Sequence, residues 1–244
     1  MNVYFAEFLG TTLLVLMGNG VVANVVLSKT KGNGGGWIVI TAGWAFAVYT
    51  AVLCVGEISG AHINPAVTIA LAVTGQFDWQ LVVGYIMAQL AGGILGGALV
   101  YCFYHSHYKV TDDPDLKLAT FSTAPGIRSL PVNLFCEVLA TFVLVYAVLQ
   151  IGDPTIQLSG TEATPIGLGS VGAIRVALIV FAIGLSLGGT TGYAINPARD
   201  LGPRIAHAML PIPGKGPSDW AYAPIPVAGP IIGAMLAALL YSVA

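Results

Sequence analysis

The sequence predicts an all-α membrane protein with six transmembrane helices and two shorter re-entrant half-helices in an inverted repeat. Three observations support this prediction. The 244 residues are 56% hydrophobic and only 8% charged, with a mean hydropathy of +0.84, whereas soluble domains carry roughly 25% charged residues. Six long apolar runs follow one another along the chain, and its two halves present the same features in the same order. Lipid must therefore solvate most of the outer surface.

Composition also excludes several classes of function. The net charge of −2 provides no basic surface for nucleic acid. The cysteines lie inside apolar runs without metal-ligand spacing, and the histidines are expected in loops or at interfaces, so we expect no metal, cofactor or disulfide framework. These residues are Cys54, Cys102, Cys136, His105, His107 and His207. The first apolar run lacks a preceding basic region and is long enough to span, which favours a helix over a cleavable signal peptide.

The six apolar runs predict six spanning helices, because about 20 apolar residues cross a hydrocarbon core of ~30 Å. Polar or glycine-rich stretches such as "KTKGNGGG" and "HSHYKVTDDPDLK" separate the runs. Helices satisfy their own backbone hydrogen bonds, which the bilayer cannot do, and the runs lack the two-residue alternation of barrel strands. The predicted helices are 3–27, 37–56, 79–104, 130–151, 171–190 and 222–243.

Two further apolar segments are too short to span. They are "NPAVTIALAVTG" at 64–75 and "NPARDLGPRIAHAML" at 196–210. About 11 helical residues at ~1.5 Å each reach roughly 16 Å, which is half the hydrocarbon core. We therefore predict re-entrant half-helices.

The order of features repeats along the chain. "AEFLGTTLLVLMG" and "CEVLATFVLVYAV" both begin with a glutamate in second place; Glu7 precedes Asn64 by 57 residues, and Glu137 precedes Asn196 by 59. A unit with three full spans reverses its orientation when it is repeated. One domain, 1–244, is thus expected to contain inverted repeats at about 1–110 and 129–244, with half-helices whose N-termini meet near the midplane. Such an arrangement marks a midplane permeation or binding site.

Each Asn-Pro-Ala motif predicts the start of a half-helix. Asparagine is a preferred N-cap, and proline is favoured at the next position because it has no N–H to lose. While the amide oxygen caps the helix, the NH₂ group can donate towards the opposite motif. Two facing helix N-termini also place partial positive charges at the midplane, which disfavours cations. The two motifs comprise Asn64, Pro65 and Ala66, and Asn196, Pro197 and Ala198.

The segments before the motifs, "SGAHI" and "TGYAI", are predicted to be extended backbone at membrane depth. Non-helical backbone there is tolerated only where it is buried or lines a wet cavity. We expect a ladder of carbonyls on one wall of a pore and apolar helices on the other, which suits a solute with hydroxyls on one edge. The expected carbonyls belong to Gly60, Ala61, His62, Ile63, Gly192, Tyr193 and Ala194.

The two intramembrane acids, Glu7 and Glu137, admit two interpretations. Ionisable groups inside a membrane suggest function, and proton coupling is one candidate. The alternative is that each acid accepts hydrogen bonds from N–H groups of the irregular loop in its own half. The symmetric placement of the acids favours this supporting role.

"GAHINPAVT", "GYAINPARD" and the two spaced glutamates resemble the aquaporin/glycerol facilitator family over nearly the whole chain. The resemblance implies an aquaporin-like hourglass fold and a homotetramer with one pore per subunit in the plasma membrane. It also implies cytoplasmic termini and passive diffusion of small uncharged solutes such as glycerol and water. This orientation conflicts with the positive-inside tendency, because most lysines then lie outside.

The resemblance further implies a selectivity filter of Trp44, Gly184, Tyr193 and Arg199. Arg199 offers five donors and repels cations, and the two aromatic rings form an apolar corner. Gly184 is expected to leave space where water-selective members carry histidine, and Asp200 resembles the glycerol-conducting branch. Tyr193 departs from the phenylalanine of well-known glycerol channels. The solute therefore remains open among glycerol, dihydroxyacetone, urea, hydrogen peroxide and protonated lactic acid.

Two other functional classes compete with a channel. An ion-coupled secondary transporter also uses inverted repeats and half-helices, but it should carry paired ionisable groups at its substrate site. An intramembrane enzyme needs a catalytic pair on facing helices, and no aspartate lies deep in a full span. The twin motifs favour the channel, and no enzyme activity is expected.

Overall fold

The computed structural model describes residues 1–152, 154–157, 159–160 and 162–244, and these are mostly helical. Among them, six helical segments are long and apolar enough to cross a membrane. The long helices are α1 (Val3–Val26), α2 (Trp37–Ser59), α4 (Trp79–Phe103), α7 (Leu130–Leu149), α8 (Gly172–Ser186) and α10 (Ile225–Val243). A 3₁₀ turn at Gly169–Val171 extends α8 to the length of a span. The predicted six-helix architecture is therefore confirmed.

Two short helices occupy the positions predicted for half-helices. They are α3 (Pro65–Val73) and α9 (Pro197–Met209). Sequence patterns did not predict α5 (His105–Val110) and α6 (Pro114–Ala119), which fold within a predicted polar loop. They also did not predict the two-residue antiparallel strands β1 (Thr155–Ile156) and β2 (Thr164–Pro165).

The predicted end of the fifth span is wrong by one turn. The apolar run continues to residue 190, but α8 ends at Ser186 and turns follow. A Cβ atom on Gly188 would lie 2.5 Å from Cδ1 of Tyr193, so the tyrosine ring packs directly on backbone at this point. The corresponding helix of the first half, α2, continues unbroken to Ser59.

The half-helices tie the two halves of the chain together. Helix α3 packs mainly against α10, and α9 packs mainly against α4, so each half-helix contacts the last helix of the opposite half. Glycines permit this close approach of helices. A Cβ atom on Gly93 of α4 would lie 2.5 Å from the carbonyl oxygen of Ala198 in α9.

The two halves also use matching glycines within themselves. A Cβ atom on Gly92 would lie 2.4 Å from the carbonyl oxygen of Phe8, and one on Gly233 would lie 2.3 Å from that of Val138. Helix α4 therefore meets α1 in the same way as α10 meets α7, with backbone against backbone.

Two lysines that contribute to the unusual charge distribution bind backbone carbonyls. The Nζ atom of Lys117 donates to the carbonyl of Pro213 at 2.5 Å. The Nζ atom of Lys215 donates to the carbonyls of His207, Ala208 and Leu210 at 2.6–2.9 Å. The carbonyls bound by Lys215 lie at the end of α9, where a cation is favoured by the helix dipole. Local folding requirements therefore explain where these two charges lie.

Candidate functional site

The two Asn-Pro-Ala motifs begin their half-helices as predicted. Asn64 has φ −157° and its side-chain oxygen accepts from the N–H of Ala66 at 2.9 Å. Asn196 has the same φ, and its side-chain oxygen accepts from the N–H groups of Ala198 at 2.9 Å and Arg199 at 3.2 Å. The extended φ of each asparagine is typical of an N-cap.

The asparagine amides join the two half-helices across the middle of the protein. The Nδ2 of Asn64 donates to the carbonyl of Ile195, and the Nδ2 of Asn196 donates to the carbonyl of Ile63, both at 2.8 Å. Both asparagines also line the central cavity. An amide NH₂ has two donors, so one N–H of each group remains for a bound molecule. The carbonyl of Ile63, which is predicted to line the pore, also accepts from Asn196.

The predicted extended backbone before each motif is wrong. Several residues adopt the left-handed region, which is uncommon for residues other than glycine and costs of order 1–3 kcal/mol each. Their φ values are 78° at Gly60, 47° at Ala61, 43° at Ile63, 79° at Gly192, 39° at Tyr193 and 45° at Ile195. The two segments share this pattern at equivalent positions, so the strain is part of the repeat.

Glu7 holds the first of these segments in place. One carboxylate oxygen accepts from the Ser59 hydroxyl at 2.7 Å and the His62 N–H at 2.9 Å. The other accepts from the Ile63 N–H at 2.6 Å and the Gln89 amide at 2.7 Å. These bonds turn the backbone N–H groups towards the acid and leave the carbonyls to face elsewhere.

Glu137 holds the second segment in the same way. It accepts from the Thr191 hydroxyl at 2.7 Å and from the N–H groups of Ala194 and Ile195, both at 2.9 Å. In the described part of the chain no fourth donor corresponds to Gln89. Neither acid lines the cavity, and the observed partners of each acid are donors of its own half.

The site contains partners that sequence reasoning missed. Ser59 and Thr191 both stand five positions before the motif asparagine, so a hydroxyl at matching places was an available signal. Gln89 was marked only by being an amide inside an apolar run. Nothing local in the sequence connected it with Glu7, which lies 82 positions away.

A cavity of about 150 Å³ lies between the motifs and the surrounding helices. Its lining includes the two asparagines, Arg199 and residues of the strained segments, namely Gly60, Ala61, His62, Ile63, Tyr193 and Ala194, whereas Gly192 is not on its surface. The rest of the lining is mainly aliphatic, with Leu14, Val48, Val52, Leu144, Val148, Val176 and Val180 among its residues. The cavity is therefore bordered by both hydrogen-bonding groups and apolar surface.

Trp44 and Arg199 meet at one part of the cavity wall. The Arg199 Cζ atom stands 4.0 Å above the centre of the Trp44 ring, which is a cation–π contact. Arg199 is buried, yet none of the hydrogen bonds of the described residues engages its guanidinium. Its donors are therefore available to a molecule in the cavity.

Gly184 does not leave an open space in the cavity. A Cβ atom on it would lie 3.0 Å from Cζ of Tyr193 and 2.8 Å from Cγ2 of Thr41, and Gly184 is not on the cavity surface. The hydroxyl end of Tyr193 and the Thr41 side chain fill this space. Gly184 therefore shapes the site by making room for Tyr193, not by widening the passage directly.

Asp200 faces away from the cavity and organises neighbouring loops. One of its oxygens accepts from the N–H and hydroxyl of Thr123 at 2.7 and 2.6 Å, and the other pairs with the buried Arg204 at 2.8 Å. Arg204 also donates to the carbonyl of Ser218 at 2.8 Å. His207, expected in a loop or interface, is instead buried in α9, with Nδ1 2.9 Å from the Ser218 hydroxyl.

Comparisons with known proteins agree on one family. The family model described as major intrinsic protein matches residues 1–241. The probable glycerol uptake facilitator protein of Thermotoga maritima is 56% identical over 99% of both chains, and the glycerol uptake facilitator protein of Streptococcus pneumoniae is 52% identical over the same shares. The X-ray structure of the aquaglyceroporin from Plasmodium falciparum superposes with a TM-score of 0.82 at 29% identity, over 98% of this chain and 94% of that one.

The hydrogen bonds of the two acids predict that Glu7→Gln and Glu137→Gln each destabilise the protein by about 1–3 kcal/mol. In each variant an NH₂ group replaces one carboxylate oxygen, so the donors that this oxygen accepted from lose their acceptor. Thermal unfolding of the purified protein in detergent measures the change. Glu57→Gln is the matched control, because Glu57 is exposed at the end of α2. An unfolding midpoint as high as that of the control in both variants would show that the acids do not hold the segments.

Proposed function

The chain belongs to the major intrinsic protein family and has the aquaporin-type fold, and we propose that it is a passive channel through which glycerol, similar small uncharged solutes and water diffuse across a membrane. The observation that carries the proposal is the cavity at the meeting point of the half-helices, which is lined by both hydrogen-bonding and aliphatic residues. The glycerol uptake facilitators of T. maritima and S. pneumoniae support glycerol as the solute, because they match over nearly the full chain.

The walls of the cavity fit a polyol. The hydroxyls can bond to backbone carbonyls, to Arg199 and to the free N–H groups of Asn64 and Asn196, while the carbon skeleton contacts aliphatic side chains such as Val48 and Val180. A solute is desolvated only where polar partners replace its water. Passage is downhill along the concentration gradient, and no bond is made or broken in the solute.

The same groups exclude ions and protons. Arg199 and the two helix N-termini place positive charge along the passage, which repels cations. The aliphatic wall offers an anion nothing in place of its lost hydration. A water molecule between Asn64 and Asn196 accepts from both amides and must orient its own hydrogens outward, which interrupts a chain of waters along which a proton could hop.

In this proposal Trp44, Tyr193 and Arg199 form the narrow part of the passage, which we call the constriction. Gly184 acts on the constriction through Tyr193. The Tyr193 hydroxyl is buried without a partner among the described residues, so the ring rather than the hydroxyl borders the solute. This arrangement favours glycerol and leaves dihydroxyacetone, urea, hydrogen peroxide and protonated lactic acid as further uncharged solutes to compare.

The whole chain forms one channel domain in this proposal, with inverted repeats at about 1–110 and 129–244. Large apolar side chains exposed on the long helices, such as Phe46, Val83, Phe135 and Leu239 at 61–70% exposure, require lipid or neighbouring subunits. The family relationship supports a homotetramer in the plasma membrane with both termini in the cytoplasm.

The competing functions find less support in the site. A proton-coupled transporter requires a titratable carboxylate at the solute, but Glu7 and Glu137 are engaged by loop donors and lie off the cavity. An enzyme requires a reactive pair facing the solute. The polar side chains that line the cavity are the two asparagines, Arg199, Tyr193 and His62, and the Nδ1 of His62 lies 3.2 Å from the Thr68 hydroxyl.

Stopped-flow light scattering on vesicles that contain the purified protein tests the proposal. We expect glycerol to equilibrate much faster than in protein-free vesicles, while a pH-sensitive dye inside the vesicles reports no added proton leak. Glycerol and other small polyols that enter no faster than in protein-free vesicles would refute the channel.

Gly184→Ala is expected to narrow the constriction. Its Cβ atom would collide with Thr41 and push Tyr193 towards the cavity. Overpacking costs about 1–3 kcal/mol. If half of this cost enters the barrier, glycerol permeability falls by roughly two- to tenfold, and water permeability falls by less. Gly189→Ala is the control, because a Cβ atom there meets nothing within 4 Å. Equal glycerol-to-water ratios in both variants would contradict this role of Gly184.

A further inference from the structure

Trp37 lies outside the cavity but contacts the parts of the protein that surround Tyr193. Its indole N–H donates to the carbonyl of Gly184 at 2.8 Å. Its ring stands edge-on to the Tyr193 ring, with centroids 5.8 Å apart and an interplanar angle of 77°. A Cβ atom on Gly188 would lie 2.9 Å from Cζ2 of Trp37. Trp37 is the first residue of α2, seven positions before Trp44 of the constriction.

The hydrogen bond from Trp37 fixes the end of α8. Gly184 lies in the last turn of this helix, which ends at Ser186. The last four carbonyls of a helix lack partners within it, and an unsatisfied buried carbonyl is unfavourable. By donating to Gly184, Trp37 holds the end of α8 at a set distance from the start of α2.

The Tyr193 ring packs against three residues away from the cavity. Gly184 lies beside its hydroxyl end, Gly188 lies against Cδ1, and Trp37 meets the ring edge-on. No hydrogen bond among the described residues anchors the hydroxyl. Packing alone therefore sets how far the ring extends into the constriction.

We propose that Trp37 is a positioning residue that sets the place of the Tyr193 ring in the constriction and thereby the largest solute that passes. This inference rests on the proposed channel function. Loss of the Trp37 ring frees space behind Tyr193, so the tyrosine retreats from the cavity and the constriction widens. Because Trp37 is 40% exposed at a helix start, its substitution disturbs the core less than that of a fully buried tryptophan would.

Two substitutions separate the contributions of the ring and its donor. Trp37→Leu removes both, whereas Trp37→Phe keeps an aromatic edge and removes the N–H group. Trp79→Leu and Trp79→Phe are the matched controls, because Trp79 is also the first residue of a long helix and is 58% exposed. The measured quantity is the ratio of permeabilities for a four-carbon polyol and glycerol, together with water permeability and the thermal unfolding midpoint in detergent.

We expect Trp37→Leu to raise the ratio of the four-carbon polyol to glycerol by roughly threefold or more, a barrier difference of about 0.7 kcal/mol. Trp37→Phe should give a smaller rise, and both Trp79 variants should match the wild type. If Trp37→Leu does not fold, Trp37→Phe tests the inference, because its permeability ratio of the four-carbon polyol to glycerol should exceed that of Trp79→Phe.

A double-variant cycle tests whether Trp37 acts through Tyr193. In a Tyr193→Ala background there is no ring to position, so Trp37→Leu should leave the solute ratio unchanged. The same rise in both backgrounds, or no rise in the wild-type background, would overturn the inference while leaving the channel intact. A wild-type protein without solute permeability would overturn both the channel and the role of Trp37.

Discussion

The structure depends on a reciprocal pair of hydrogen bonds at its centre. Asn64 donates to the carbonyl of Ile195, and Asn196 donates to that of Ile63, with equal lengths of 2.8 Å. Each asparagine also caps its own half-helix with its side-chain oxygen. One side chain type thus starts a helix, joins the two halves and keeps one donor for a molecule in the cavity. The inverted repeat allows this arrangement, because each half supplies the carbonyl to which the asparagine of the other half donates.

The strained segments exist because the rest of the fold stabilises them. Left-handed φ values at Ala61, Ile63, Tyr193 and Ile195 are unfavourable in isolation. Buried carboxylates compensate by accepting hydrogen bonds from backbone N–H groups. The second half departs from strict symmetry around Tyr193. Helix α8 ends early, and a tyrosine ring occupies the place that opens.

Sequence patterns predicted the parts of this structure that depend on a few neighbouring residues. Helix length, the N-capping asparagines and the first-turn prolines follow from sequence patterns, and the spacing of Glu7 and Glu137 from the motifs indicated the repeat. The end of α8 and the filling of the space beside Gly184 were not predictable, because both depend on how Tyr193 packs against residues of α2 and α8. The left-handed backbone was missed for the same reason, since acids more than 50 positions away stabilise it. The six spans and the similar proteins show a membrane channel family, whereas the packing around Tyr193 is visible only in the folded structure.

The thermal unfolding midpoints of Asn64→Ser, Asn196→Ser and the double variant test the central pair of bonds most directly. Serine keeps a capping oxygen but removes the amide donor, so each single variant should lose about 1 kcal/mol. The double variant should lose less than the sum, because the two bonds join the same pair of helix ends and weaken together. Asn2→Ser is the control, since Asn2 caps α1 at an exposed position by accepting from Phe5. Single variants that unfold at the same midpoint as this control would contradict the claim that the reciprocal bonds hold the two halves together.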